Sequence, residues 1–261
     1  MTSDPISDNV FIAFNQAVVE NISGKREGIF HVSDLINPKC GRNVYYSKRD
    51  PAPRMDGETA KNFYCGNIVH SHSQLTTIEL HEQPIIYSPF EDKTYPYEKT
   101  LKAHPDFSGK DEFWYNVVVG KPDDIMLLSD GKNYIIADKK TKLSKPESML
   151  LNKQFDGLKP EHKSQLSMYR LMVLRERGID AESGCILSLD YADKFKNPKM
   201  LPFDLDPIET TKKYMQNRMI QLTGYLKAKQ LPPRLIIQWM CNSYCPYYSM
   251  CFNKDGLDFA K

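Results

Sequence analysis

The chain has 261 residues, 41% of them hydrophobic, enough for one large domain with a full core. Lys and Arg number 35 against 33 Asp and Glu, a formal net charge of +2, which excludes a protein that holds nucleic acid by bulk charge and leaves room only for a local basic groove. The start, MTSDPISDNVF, has no basic segment leading into an apolar one, and no apolar run approaches the ~20 residues of a membrane-spanning helix, so the expectation is a soluble, cytoplasmic protein with no membrane partner.

In chain order, VFIAFNQAVVENI reads as a short amphipathic helix, followed by a Gly/Lys/Arg loop and FHVSDLINPKC. Residues 59–80 have helical periodicity interrupted only by Gly66, with His70 in the middle. The Pro- and charge-rich stretch after Pro84 predicts irregular strands and loops. Three β-like runs follow, at 113–119, 124–129 and 133–138. Residues 161–177 predict a helix closed by Gly178, 185–191 a strand, and 207–229 a Lys-rich amphipathic helix ending before Pro232 and Pro233. That order predicts an α/β domain with one core.

Between the second and third runs stands SDGK, and Asp130-Gly131 between β-rich segments is the signature of a hairpin with a two-residue type I′ turn. Cross-strand partners then have numbers adding to 261, which pairs Leu127 with Tyr134, Ile125 with Ile136, and Asp123 with Asp138. Opposed residues share a face, and Lys140, two residues beyond Asp138, shares it too. Two carboxylates facing each other destabilise a sheet unless something offsets them. A salt bridge at a solvated rim is one way. A divalent ion is another, since two hard oxygen donors suit Mg²⁺ or Mn²⁺ and phosphoryl chemistry. Asp124 points to the opposite face and is the weaker candidate.

GKPD (120–123) followed by ADKK (137–140) resembles the PD-(D/E)xK nuclease core, as G-x-x-D and D-x-K. Upstream, GNIVH (66–70) is similar to the G-x-x-x-H element of RecB-type nucleases, and downstream QLSMY (165–169) to their Q-x-x-x-Y motif. Gln165 and Tyr169 are four apart on one helix and can reach one site. Singly each motif is weak: an isolated His70 or Tyr169 is more often a packed residue. All four in the family's order make a specific signal. The resemblance implies a restriction-endonuclease-like core, a mixed central sheet flanked by helices, and a DNA nuclease in which His70, Asp123, Asp138 and the backbone carbonyl of Lys139 hold Mg²⁺ or Mn²⁺. Lys140 then positions the attacking water, while Gln165 and Tyr169 orient Lys140 or the DNA backbone.

Six cysteines in a reducing compartment are not a disulfide framework. CGRNVYY (40–46) resembles the C-x-R-x-x-Y segment of RecB-like nucleases that carry an iron–sulfur cluster, and CNSYCPYYSMC (241–251) their C-terminal cysteine trio. Similar groups are the CRISPR-associated RecB-like exonucleases, the AddB nuclease domain and phage homologues. The trio here is C-x3-C-x5-C where the family has C-x2-C-x5-C. Thiolates suit either Zn²⁺ or a [4Fe–4S] cubane, and spacing alone leaves both open; the resemblance implies the cluster, on Cys40, Cys241, Cys245 and Cys251. It also implies one nuclease domain over 1–261, with 61–229 as core and with 32–60 and 230–253 joined as a cluster lobe.

The expected substrate is DNA, single-stranded and trimmed from its ends, with a CRISPR integrase or recombination proteins as possible partners in adaptation, repair or viral DNA processing. Lys139, Lys142 and Lys145 are candidates for tracking phosphates, against the ordinary reading of a lysine run as a solvated face. Tyr247 and Tyr248 are candidates for stacking on bases, against packing near the cysteines. Cys65 and Cys185 read as small buried hydrophobes, and His72 and His162 lie outside the motifs. Rival classes are a non-catalytic DNA-binding module and a zinc-stapled scaffold. Intact Asp123, Asp138 and Lys140 oppose the first, and iron with inorganic sulfide would exclude the second.

Overall fold

The computed structural model describes residues 28–36, 39–49, 78–81, 84–107, 110–142, 160–190, 199–235, 245 and 247–253. His70, Gly66, Cys65, His72, Cys241 and Lys145, and the helix expected near residues 10–22, lie outside them.

The strands form two mixed sheets rather than a single central one. In the first, β1 (Phe30–His31) runs parallel to β5 (Val118–Gly120), which pairs antiparallel with β3 (Ile85–Ser88) and through it with β4 (Lys93–Tyr95). In the second, the order is β2 (Ile78–His81), β6 (Asp124–Leu127), β7 (Tyr134–Lys142), β8 (Ser183–Asp190) and β9 (Lys199–Asp204). Only β7 and β8 are parallel there, so the chain must cross over between them. The crossover contains α4 (Pro160–Arg177), which follows α1 (Val32–Leu35), α2 (Gly41–Arg49) and α3 (Tyr97–Ala103). After β9 come α5 (Ile208–Ala228) and α6 (Tyr248–Asn253).

Helix α4 is the axis of the core. Leu166, Met168, Tyr169, Leu171, Met172 and Val173 are all buried, an enclosure on more than one face that fits a helix between sheet and helices. Gly178 ends it in the left-handed region at φ +70°, donating its N–H to Leu174 O at 2.9 Å. Helix α5 instead buries one stripe, Thr211, Met215, Met219 and Leu222, against the same core.

A charged tie joins the β3–β4 turn to both helices. Asp92, at φ +55°, accepts bonds from Arg175 Nε and Nη2 at 2.8 and 3.0 Å, Lys212 Nζ at 2.9 Å and Tyr87 Oη at 2.8 Å. The Arg175 guanidinium, against some opposition from burial, holds the Asp92 carboxyl well below the usual range. A second pair is fully enclosed: Lys48 Nζ on α2 lies 2.8 Å from Asp34 Oδ2 on α1, with both side chains 2% exposed.

Several local expectations need correction. Residues 78–81, the end of the periodic 59–80 segment, form a strand on the edge of β6, because pairing with the hairpin satisfies their backbone groups. The 113–119 run is a 3₁₀ turn over Glu112–Tyr115 followed by the shorter β5. Asp111 Oδ1 accepts the N–H of Phe113 at 3.0 Å, and that cap overrides the β preference of the aromatic triplet. Strands β3 and β4 are the irregular strands expected after Pro84, whereas strand β9 and helix α3 were not among the expected elements.

Candidate active site

The β6–β7 hairpin has the expected register, with Asp124 opposite Ala137, Ile125 opposite Ile136, and Leu127 opposite Tyr134. The turn is not type I′. Only Gly131 has positive φ, at +68°, and the loop is wider, with Leu128 N–H donating to Asn133 O at 2.8 Å. Asp130 Oδ1 accepts the N–H groups of Lys132 and Asn133 at 2.9 and 3.0 Å, which keeps Asp130 out of the left-handed region. Adding one residue to each side of a loop preserves the numbering of the pairs, so the register survives the change of turn.

Alternation along β7 then sorts its side chains. Ile136, with Ile125 and Ile186, packs into the main core beneath α4, while Ile135 and Ala137 join Cys185 on the other face. Asp138 and Lys140 continue the row of Ile136. Lys140 Nζ stands 2.7 Å from Asp138 Oδ2, with the ammonium side chain 35% exposed and the carboxylate side chain 3%. That contact sets a partly exposed ammonium against an enclosed carboxylate, and the Lys140 charge and hydrogen bond favour the ionised form of Asp138.

Asp123 precedes β6, where the chain passes from the first sheet to the second. Its Oδ2 accepts the backbone N–H of Lys139 at 2.8 Å, which draws the carboxylate onto β7 beside Asp138. Burial pushes the Asp138 carboxyl up to about 7, and the Asp123 carboxylate pushes the same way while Lys140 pulls it down. The paired acids and the lysine thus come together on one face.

Tyr169 faces them from α4. Burial raises its phenol above the ordinary range, Gln165 Nε2 donates to its Oη at 3.3 Å and lowers it, and the charges of Asp138 and Asp123 raise it further. A bond from the backbone N–H of Lys121 also reaches the phenol. Gly120 makes this approach possible: a Cβ there would lie 2.7 Å from Met172 Cε and 3.0 Å from Tyr169 Cε1. The signal for Gly120 was its place in GKPD, but its role toward α4 emerges only from the packing.

Among the described residues no group of three or more His, Cys, Asp or Glu side chains could hold a metal ion. The ligand set around Asp123 and Asp138 would therefore need His70 and the Lys139 carbonyl. Two nucleic-acid candidates are corrected. The Lys139 side chain is 0% exposed and pairs at 2.8 Å with Asp124 Oδ2 on the far face of the sheet, so it cannot track phosphates. Tyr247 is buried and stacks on Tyr46 with ring centroids 5.5 Å apart, so it presents no face to a base. Tyr248 is half-buried at the start of α6, and Lys142 ends β7.

The cysteine-bearing segments do meet. Helix α2 starts just after Cys40; Arg42 Nη1 donates to Cys251 Sγ at 3.5 Å and Asn43 Nδ2 to Cys245 Sγ at 3.7 Å. Tyr45 and Tyr46 pack with Tyr247 and Cys251 in a small core of their own. Arg42 Nε adds a bond to Pro232 O at 2.8 Å. Cys185 is buried in the sheet, as its reading as a small hydrophobe implies.

No protein-family model matches the chain, and no curated protein does. Solved structures align with it at low identity. The crystal structure of SSO0001 is 17% identical over 93% of this chain and 95% of that one, with a TM-score of 0.49. An alkaline exonuclease (LHK-Exo) from Laribacter hongkongensis is 12% identical over 82% and 93%, with a TM-score of 0.36. LHK-Exo in complex with dAMP gives 11% identity and the same coverage and TM-score. At these values the alignments assign neither activity nor ligand to this chain. Among the described residues no helix is long and apolar enough to cross a membrane.

Proposed function

We propose that the chain is a divalent-metal-dependent nuclease of the PD-(D/E)xK type that hydrolyses phosphodiester bonds in DNA, trimming single-stranded ends. The observation that carries this reading is the meeting of Asp123, Asp138 and Lys140 on one face beneath Tyr169, with Gln165 bonded to that phenol. The donor set fits a hard cation. Two carboxylate side chains meet on one face, and burial, with Asp123 pushing the same way, outweighs Lys140 and holds the Asp138 carboxyl up to about 7.

Asp123, Asp138, His70 and the Lys139 carbonyl would hold Mg²⁺ or Mn²⁺. When bound, the ion supplies Lewis acidity at the phosphodiester and lowers the pKa of water. Lys140, half exposed beside Asp138, orients the attacking water and directs positive charge at the scissile phosphate. The water oxygen forms the new bond to phosphorus and gives up a proton to solvent, the bond to the leaving oxygen breaks, and that oxygen takes a proton from solvent, so that one water is added across the P–O bond. Tyr169 keeps its own proton because burial holds its phenol up, so it serves as a hydrogen-bond donor and never as a base. Gln165 and the Lys121 N–H fix its oxygen.

Cys40, Cys241, Cys245 and Cys251 would hold a [4Fe–4S] cluster, with Zn²⁺ as the alternative. Supporting this are the N–H donors of Arg42 and Asn43, aimed at two of the sulfurs as thiolate ligands would favour. Lys142, Lys145 and Tyr248 remain the proposed contacts to DNA. The deciding experiment is cleavage of end-labelled single and double strands with Mg²⁺, Mn²⁺ or chelator, beside iron, sulfide and zinc analysis. Metal-dependent shortening of single strands, abolished in Asp123→Ala, Asp138→Ala and Lys140→Ala, is expected; full cleavage in chelator would overturn the assignment.

A further inference from the structure

Asp124 and Lys139 each sit beside a residue of the proposed site, yet both turn away from it. Asp124 follows Asp123, and Lys139 lies between Asp138 and Lys140. Both side chains are 0% exposed, with Lys139 Nζ 2.8 Å from Asp124 Oδ2. The same face of the sheet carries Ile135, Ala137 and Cys185, with Met126 against them. Asp124 lies opposite Ala137, so Lys139 is its diagonal neighbour across the β6–β7 ladder.

An ammonium and a carboxylate taken out of water seldom repay their desolvation, and apolar residues of similar size usually serve stability as well or better. Register is what such a pair can specify. A one-residue slip of β6 on β7 would carry Asp124 into the apolar core under α4 and leave the buried ammonium without its counter-ion. Held in register, the Lys139 peptide presents its N–H to Asp123 Oδ2 at 2.8 Å. The buried pair and the site thus share one peptide unit.

We propose that Asp124 and Lys139 are a positioning pair. Their contact locks the β6–β7 register and the Lys139 peptide, and through that peptide fixes Asp123 against Asp138. The kinetic part of this inference rests on the nuclease reading above; the backbone part does not.

The test compares wild type, Lys139→Met, Asp124→Asn and the apolar double variant Asp124→Leu/Lys139→Met. Thermal melting, kcat and KM on single-stranded DNA with Mn²⁺, and hydrogen exchange of the amide at position 139 are measured. The double variant is expected to melt at or above wild type while kcat falls about 10- to 100-fold with KM little changed. Its amide at position 139 should exchange at least tenfold faster. A folded double variant with wild-type kcat and wild-type exchange overturns the proposal. If the double variant does not fold, Asp124→Asn, which keeps the shape and loses the charge, takes its place with the same two expectations and the same overturning result. Absence of metal-dependent cleavage in wild type would remove the nuclease reading instead, and exchange at position 139 would then decide the positioning role alone.

Discussion

The carboxylate of Asp123 is held by the backbone N–H of Lys139, 16 residues away, at 2.8 Å. A side chain just ahead of one strand is thus bonded to the main chain of the next, between the two other residues of the site. Its position is set by the ladder itself and not by a flexible contact.

Asp138 makes that arrangement costly at high pH. Its folded carboxyl is raised from 3.8 to about 7, so the native protein binds the proton more tightly than the unfolded chain. The favourable contribution is complete below the unfolded value and is lost as pH rises through about 7. Asp138→Asn should therefore gain on wild type as pH goes from 5 to 8 in chelator, by on the order of a few kcal/mol. Urea melts at both pH values measure it. An equal gap at pH 5 and pH 8 would contradict the assignment.

Gly120 offers a purely steric test. Ala at this position would place its Cβ 2.7 Å from Met172 Cε and 3.0 Å from Tyr169 Cε1. The methionine can swing its end aside, but the Tyr169 ring cannot move without leaving Gln165 and the Lys121 N–H. Gly120→Ala should cost about 1–3 kcal/mol of stability. It should also lower cleavage by about tenfold or more, because a misplacement of a fraction of an ångström tells at a reacting centre. Thermal melts and cleavage assays of Gly120→Ala check both, and wild-type cleavage by the folded variant would contradict this placement of the Tyr169 ring.

How much of this was legible in the sequence is clearest along β6 and β7. The register from Asp124 to Leu127 and the shared face of Asp138 and Lys140 followed from one turn signal and a period of two, whereas Asp123 stops short of the ladder and reaches β7 through the Lys139 N–H. The same parity, applied to Lys139, would have placed it with Ile135 and Ala137 on the buried face; the usual solvation of lysine runs obscured that. The type I′ turn failed because the Asp130 carboxylate found two N–H groups within its own loop. Strand β9 carried little signal, since Lys199, Met200 and Pro202 interrupt any alternation and its pairing comes wholly from β8. Tyr247 looked available to bases because no local pattern foretells a partner as distant as Tyr46.

The enclosed Asp34–Lys48 pair contributes to acid stability. Burial would raise Asp34, but the Lys48 charge and hydrogen bond and the His31 N–H outweigh it and lower the carboxyl from 3.8 to about 2. The stabilisation is complete above the unfolded value and is lost as pH falls through about 2. Lys48→Met should cost roughly 3–5 kcal/mol, since it strands a buried carboxylate. Asp34→Leu/Lys48→Met should melt near wild type at pH 7 and lose less on acidification; a double variant as weak as Lys48→Met would refute the pairing.

Asp92 ties the β3–β4 turn to α4 and α5 while holding a left-handed backbone. Asp92→Asn keeps a residue that tolerates φ of +55° and loses the charge, so it isolates the ionic part of the tie, expected at roughly 1–2 kcal/mol. Asp92→Ala adds backbone strain and should be worse. Denaturant titration of both variants separates the two effects, and equal losses would assign the whole cost to charge.

The contacts of α2 with the segment holding Cys245 and Cys251 have a consequence for how the molecule is made. The bonds from Asn43 and Arg42 to the two sulfurs span 202 and 209 residues, which puts them among the most non-local contacts a chain of this length can form. During synthesis the β6–β7 hairpin and α4 emerge and can assemble while Tyr45 and Tyr46 still lack the aromatic partner that covers them. At about 5–20 residues per second, roughly 100 further residues after the hairpin represent some 5–20 seconds in which that aromatic face stands open to chaperones or to other nascent chains. Closure of the two distant segments therefore waits until Tyr247 and Cys251 have been made, and until then the aromatic face of α2 has no cover from them.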